Sequence, residues 1–194
     1  MVQTEKIGVS VEDYLKADNA EVIDGEIVKM TPTQYPHSRR ARDLFVAMYA
    51  FVTEKNLGEV FFELAFVTEG SEDENWVRGS RVPDVSFIAR DRFEAYFETH
   101  DEDGPLWLVP DLAVEIVCPT DSYSAVTQKV AYYLAHGIRL VWVIDPASET
   151  VRIHTADDPD GHTLRPVDML IGDPVLPGWT MGLTELFLAN SPDQ

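Results

Sequence analysis

Two acids inside apolar segments and one lysine on the margin of a helix are the residues whose types and spacing suggest chemistry. Asp84 lies in RVPDVSFIA (81–89) and Glu115 in DLAVEIV (111–117). Both segments read as strands, whose side chains alternate between faces. Asp84 then shares a face with Val82, Ser86 and Ile88, and Glu115 shares one with Ala113 and Val117. A buried, isolated carboxylate is costly, and a bound cation is one compensation. A solvent-facing strand edge or an arginine partner is another. Lys129 belongs to a helical pattern over 122–136 with an apolar stripe of Val126, Val130, Tyr133 and Leu134. At 3.6 residues per turn it lies roughly 80° from the centre of that stripe. From there its ammonium can reach over the end of 111–117 to Glu115. It can equally lay its stem along apolar surface and keep its head in water.

His37 stands just before a second helical pattern, and Arg39, Arg40 and Arg42 follow it. Basic residues in a first helical turn oppose the helix dipole, so their concentration there is unexpected on stability grounds. They suit a phosphate grip aided by the helix N-terminus, or a basic turn neutralised by nearby acids. Glu21 and Glu26 flank Asp24-Gly25 and can approach the same region, whereas Asp24-Gly25 itself is explained by turn geometry. His136 complements a helix C-terminus, and His154 and His162 show no metal-ligand spacing. The four tryptophans are scattered and offer no base-stacking platform.

The positioning elements follow from periodicity. Residues 10–17 predict a short helix with Ser10 as N-cap, and 21–30 a hairpin turning at Asp24-Gly25. Ala41, Leu44, Phe45, Met48 and Val52 predict a helix over 38–55, with Gly58 following its end. Strands are expected at 59–68 and 81–89 with a polar loop between them, and a short helix at 91–98. Residues 111–117, 138–145 and 150–155 read as strands, with 162–167 pairing back on 150–155 and a last helix at 183–188. The apolar run LVWVI at 140–144 suits a central strand buried on both faces. The expected fold is α/β (α+β), one mixed central sheet flanked by helices, in a single domain over 1–194 with its core about 10–188.

Composition narrows the class. Hydrophobic residues make up 45% and charged residues 25% of 194, as in ordinary globules. No apolar run approaches a membrane span, the first residues lack an export pattern, and the single Cys118 excludes a cysteine-built zinc site. A cytoplasmic protein is expected. The net charge of −19 opposes approach to a polyanion, so a metal and a local basic patch would have to offset it.

VPDVSFI, LAVEIVCPT, a helix with Gln128-Lys129, and YYLAHGIRLVWVIDP together resemble the Uma2 family of endonucleases, also described as DUF820. VIDGEIVKM, Pro36-His37 and PVLPGWTMGLTELF resemble the family's two ends, and the likeness spans roughly 10–188. The family is placed in the PD-(D/E)XK nuclease superfamily, with a restriction-endonuclease-like fold. The resemblance implies a metal-dependent endonuclease acting on DNA. It implies Mg²⁺ or Mn²⁺ held by Asp84, Glu115 and the carbonyl of Ile116, with Lys129 and His37 catalytic. Such ions offset phosphodiester charge and activate water. The superfamily's usual lysine position is Val117 here, and the Uma2 pattern puts the lysine on the following helix, at Lys129. Ala125 and Cys118 depart from a common aspartate and serine of the family. A homodimer is expected by analogy with nucleases that cut two strands. The alternative is a catalytically inactive nuclease-fold protein acting in binding or assembly.

Overall fold

The computed structural model describes residues 8–188. The chain runs β1 (Val9–Ser10), α1 (Val11–Lys16), β2 (Ala20–Ile23), β3 (Glu26–Lys29), α2 (Tyr35–Lys55), β4 (Gly58–Phe62), β5 (Phe66–Gly70), β6 (Trp76–Arg81), β7 (Val85–Ala89) and α3 (Arg90–Phe97). It continues through β8 (Leu112–Ile116), α4 (Tyr123–Ala135), β9 (Leu140–Asp145), β10 (Thr150–His154), β11 (His162–Leu164), β12 (Met169–Ile171), β13 (Thr180–Gly182) and α5 (Leu183–Leu188).

A mixed sheet of six strands, ordered β11-β10-β9-β8-β7-β4, forms the centre. β8 and β9 are parallel, as expected for strands joined by a helical crossover, and the remaining pairs are antiparallel. Helix α2 covers one face with Ala41, Leu44, Met48 and Val52, packed on Val85, Phe87, Val114 and Trp142. Helix α4 covers the other with Val130 and Tyr133, packed on Ala113, Val141 and Val143. Strand alternation therefore turns Ile116 towards the α2 side and Glu115 towards α4. Trp142 and Ile144 are fully buried, as the LVWVI run predicts.

A second sheet, β1-β6-β5, and the hairpin β2-β3 flank the centre. Ser10 caps α1 by accepting from the Asp13 N–H at 3.1 Å. The hairpin turns where predicted, with φ of 51° at Asp24 and 77° at Gly25, the primed geometry that Asp-Gly favours.

Two differences from the sequence reading reshape the site. Residues 59–68 are not one strand, because the chain leaves the central sheet at Glu63 (φ 49°) and enters the second sheet as β5. Residues 81–89 are not one strand either. β6 ends at Arg81, Val82-Pro83-Asp84 cross between sheets, and β7 starts at Val85. Pro83 offers no N–H to a ladder, which suits a crossing point. The Glu63 N–H donates to the Asp84 carbonyl at 3.2 Å, so both crossings occur side by side. β6 itself lies partly in what reads as a polar loop, and β12-β13 is a further hairpin.

Candidate active site

Asp84 owes its position to the crossing and not to strand alternation. It is 7% exposed, at the junction of the two sheets, with its N–H donating to the Val114 carbonyl of β8 at 3.0 Å. Its carboxylate accepts from the Ile116 N–H at 2.6 Å and is held by His37 Nε2 at 2.8 Å. His37 is inside α2, not before it, because the helix starts at Tyr35 with Pro36 in its first turn. That places His37 one turn before Ala41 on the buried stripe, 7% exposed. The other ring nitrogen, Nδ1, meets Cys118 Sγ at 3.2 Å. Burial opposes protonation of His37, but the hydrogen bond and charge of Asp84, with the charges of Glu115 and Glu63, outweigh it and raise its pKa. Burial, Asp121 and Asp84 push the Cys118 thiol up, so it stays protonated and unreactive near neutral pH.

Glu115 comes from the next strand. Lys129 Nζ donates to its Oε2 at 2.9 Å, as the helical angle suggests, and the Tyr133 hydroxyl donates to its Oε1. Lys129 and Tyr133 are four residues apart and so project from one face of α4. Glu21 adds a third acid from β2, its Oε1 at 3.5 Å from Lys129 Nζ and accepting from the Val82 N–H at 3.1 Å. Glu26 is exposed on the hairpin.

The charges are unequal to one another's neutralisation. Burial pushes Glu115 up to about 7; Lys129 and Tyr133 draw it down, while Asp84 adds to the rise. For Lys129, burial lowers the pKa, but Glu115, Glu21 and Asp84 outweigh it and hold the ammonium above the ordinary lysine value. Burial and the nearby Glu115 push Tyr133 far up, so it remains a hydrogen-bond donor.

A buried acid with an ordinary structural role is available for contrast. Asp111, 1% exposed, is held by Arg92 at 2.8 Å and Arg139 at 3.4 Å and caps the Ala89 N–H. Asp84 and Glu115 have histidine, lysine and tyrosine partners instead. Among the described residues, no group of three or more His, Cys, Asp or Glu side chains is arranged to hold a metal ion. Each oxygen of the Asp84 and Glu115 carboxylates has a donor, yet an ionised carboxylate offers about four lone-pair sites. Their oxygen chemistry and shared excess of negative charge suit a hard divalent ion, which takes one or two carboxylates and completes its shell with water or phosphate.

Arg39, Arg40 and Arg42 are not gathered into this cluster. Arg39 and Arg42 both turn to Asp43, at 3.7 Å and 2.9 Å, and Arg40 lies over the Phe187 ring of α5 at 5.9 Å. Burial lowers the Arg40 pKa. Tyr133 and the Cys118–His37 contact are the parts of the site that the sequence reading missed. Tyr133 reads as a member of an apolar stripe, although a buried tyrosine usually needs a hydroxyl partner.

Two clefts border the cluster, one on the Asp84 side and one on the Glu115 side. One of about 690 Å³ is lined by Asp84, Glu63, α1 and the residues after β3. A smaller one of about 190 Å³ is lined by Glu115, Ile116 and Lys129. The hydrogen bond from the Ile116 N–H to Asp84 links a residue of each lining.

Among the described residues, no helix is long and apolar enough to cross a membrane. No curated protein matches the chain. The chain is similar over 92% of its length to a crystal structure from Anabaena variabilis, described as a putative nuclease belonging to DUF820. The match covers 97% of that chain with a TM-score of 0.71 and 23% identity, a likeness of fold. The sequence model of Uma2, described as a putative restriction endonuclease, matches residues 11–185. With nearly the whole chain covered, the protein belongs to the Uma2 family.

Proposed function

We propose that the protein is a metal-dependent DNA endonuclease whose site is Asp84, Glu115 and Lys129. The observation that carries this reading is the Lys129–Glu115 contact at 2.9 Å, beside an Asp84 bonded to the residue next to Glu115. Asp84, Glu115 and the Ile116 carbonyl would hold Mg²⁺ or Mn²⁺. The ion, when bound, offsets phosphate charge and makes a bound water more acidic. Lys129 acts as a fixed positive charge beside the phosphate. Its raised pKa favours that role over general-base action, which needs a neutral amine. Tyr133 fixes Oε1 of Glu115, and His37 fixes Asp84 while Cys118 Sγ meets the other ring nitrogen.

The test is cleavage of single-stranded, duplex and branched DNA by wild type and Lys129→Ala with Mn²⁺. Cleavage by wild type, reduced at least about 100-fold in the variant, is the expected result for loss of one electrostatic group. Equal cleavage removes Lys129 from the chemistry. A non-catalytic binding or assembly role is the second reading. It is favoured by the net charge of −19 and by the donors already on every oxygen of the two carboxylates.

A further inference from the structure

The larger cleft carries information about which form of DNA reaches the site. It is bounded by Tyr14 and Leu15 of α1, Met30 and Thr31 after β3, and Glu63 and Asp84 at the crossings. About 690 Å³ is the size of a small-molecule site, which typically holds 300–1,000 Å³. That space accommodates a nucleotide or two and not the breadth of a double helix. Electrostatics point the same way. The charged side chains lining the cleft are the acids Asp18, Glu63 and Asp84, without a lysine or arginine. A duplex presents one phosphate charge for each ~1.7 Å of axis and needs a track of cations to offset them. The arginines of α2 do not supply that track, since Asp43 and Phe187 occupy them. In a chain of net charge −19, every extra phosphate brought to this surface adds repulsion.

Resting on the proposed metal site, we infer that the Asp84 cleft takes a short single-stranded DNA segment, one or two nucleotides long, and excludes intact duplex. The phosphate next to that segment lies over Asp84 and Glu115, beside the cleft of about 190 Å³ lined by Lys129. Recognition therefore depends on shape and the metal, with few phosphate contacts.

The experiment is a length series of fluorescent single-stranded oligonucleotides, from two to twelve nucleotides, and a matched duplex, titrated with wild-type protein in Ca²⁺. Affinity is expected to level off by about three nucleotides, once the number of equivalent registers is allowed for. The duplex should bind at least tenfold more weakly. With about two phosphates engaged, log affinity should fall against log salt with a slope of about −1.4. Thr31→Lys, at an exposed position on the cleft, should tighten single-strand binding about 3- to 10-fold and steepen the slope by about 0.7. Val167→Lys, at a position 91% exposed and outside the cleft lining, should leave both unchanged. Affinity that climbs steadily with length, duplex binding as tight as single strand, or equal effects of the two lysines overturns the inference. If Ca²⁺ binding persists through those results, the metal site still stands. If Ca²⁺ does not bind at all, both fall.

Discussion

Replacing Lys129 with methionine separates the electrostatic role of this side chain from its packing. The ammonium pairs with Glu115 at 2.9 Å and Glu21 at 3.5 Å, and those side chains are only 13% and 10% exposed. Glu115 has a folded-state pKa of about 7 against an ordinary 4.5. Its proton thus favours the folded state at low pH, and that contribution is lost as pH rises towards 7. At pH 5.5 Glu115 is protonated with or without Lys129. The variant then loses the Glu21 contact, the hydrogen bond to the neutral Glu115 carboxyl and part of the lysine stem, together about 1 kcal/mol. At pH 8.5 the wild type ionises Glu115 against Lys129, whereas the variant must keep it neutral or bury an unpaired charge. Keeping it neutral across one and a half pH units, at about 1.4 kcal/mol each, costs about 2 kcal/mol more. Burying the charge unpaired costs about 3–5 kcal/mol, so the proton is retained. Urea unfolding in EDTA at both pH values measures the difference. A loss of about 1 kcal/mol at pH 5.5 and about 3 at pH 8.5 is expected. Equal losses at the two pH values would refute the coupling.

Tyr133→Phe keeps the buried ring and removes the donor to Glu115, so it should destabilise the fold by about 1–2 kcal/mol in urea melts. The same variant should weaken Mn²⁺ binding; an unchanged affinity would remove Tyr133 from the support of Glu115. His37→Gln removes a group whose pKa is raised by Asp84 after burial is overcome. Its stabilising charge is present below the ordinary histidine value and lost as pH rises through the folded one, so the variant should lose about 2 kcal/mol at pH 5.5 and less at pH 8.5. A constant loss would mean that the ring acts by packing alone. Arg42, with a side chain 58% exposed, should tolerate alanine within about 0.5 kcal/mol. DNA affinity and its salt dependence should stay unchanged in the same variant, because Asp43 already holds the guanidinium; a weaker binding with a flatter salt dependence would place Arg42 in the interface.

The sequence carries the Glu115–Lys129 half of the site more openly than the Asp84 half. Strand alternation and helical angle are local properties, and both residues sit where those rules put them. Asp84 depends on two strands changing sheets at one point, a tertiary event announced in the sequence only by Pro83, since the positive φ at Glu63 is not marked by a glycine. The polar stretch that becomes β6 hides a strand because its pairing with β1 and β5 compensates for poor local propensity. His37 and Cys118 are 81 residues apart in sequence, so their contact leaves no local signature. Arg40 shows the opposite failure. Its position suggests a phosphate grip, but packing against the last helix claims its side chain.

Calorimetric titration of Mn²⁺ into the metal-free protein at pH 6 and pH 8 tests the central claim most directly. One ion per chain is predicted, bound more tightly at pH 8 because Glu115 must give up its proton, and lost in Asp84→Ala and Glu115→Ala. No heat of binding at millimolar Mn²⁺, or binding that survives both substitutions, would contradict the account.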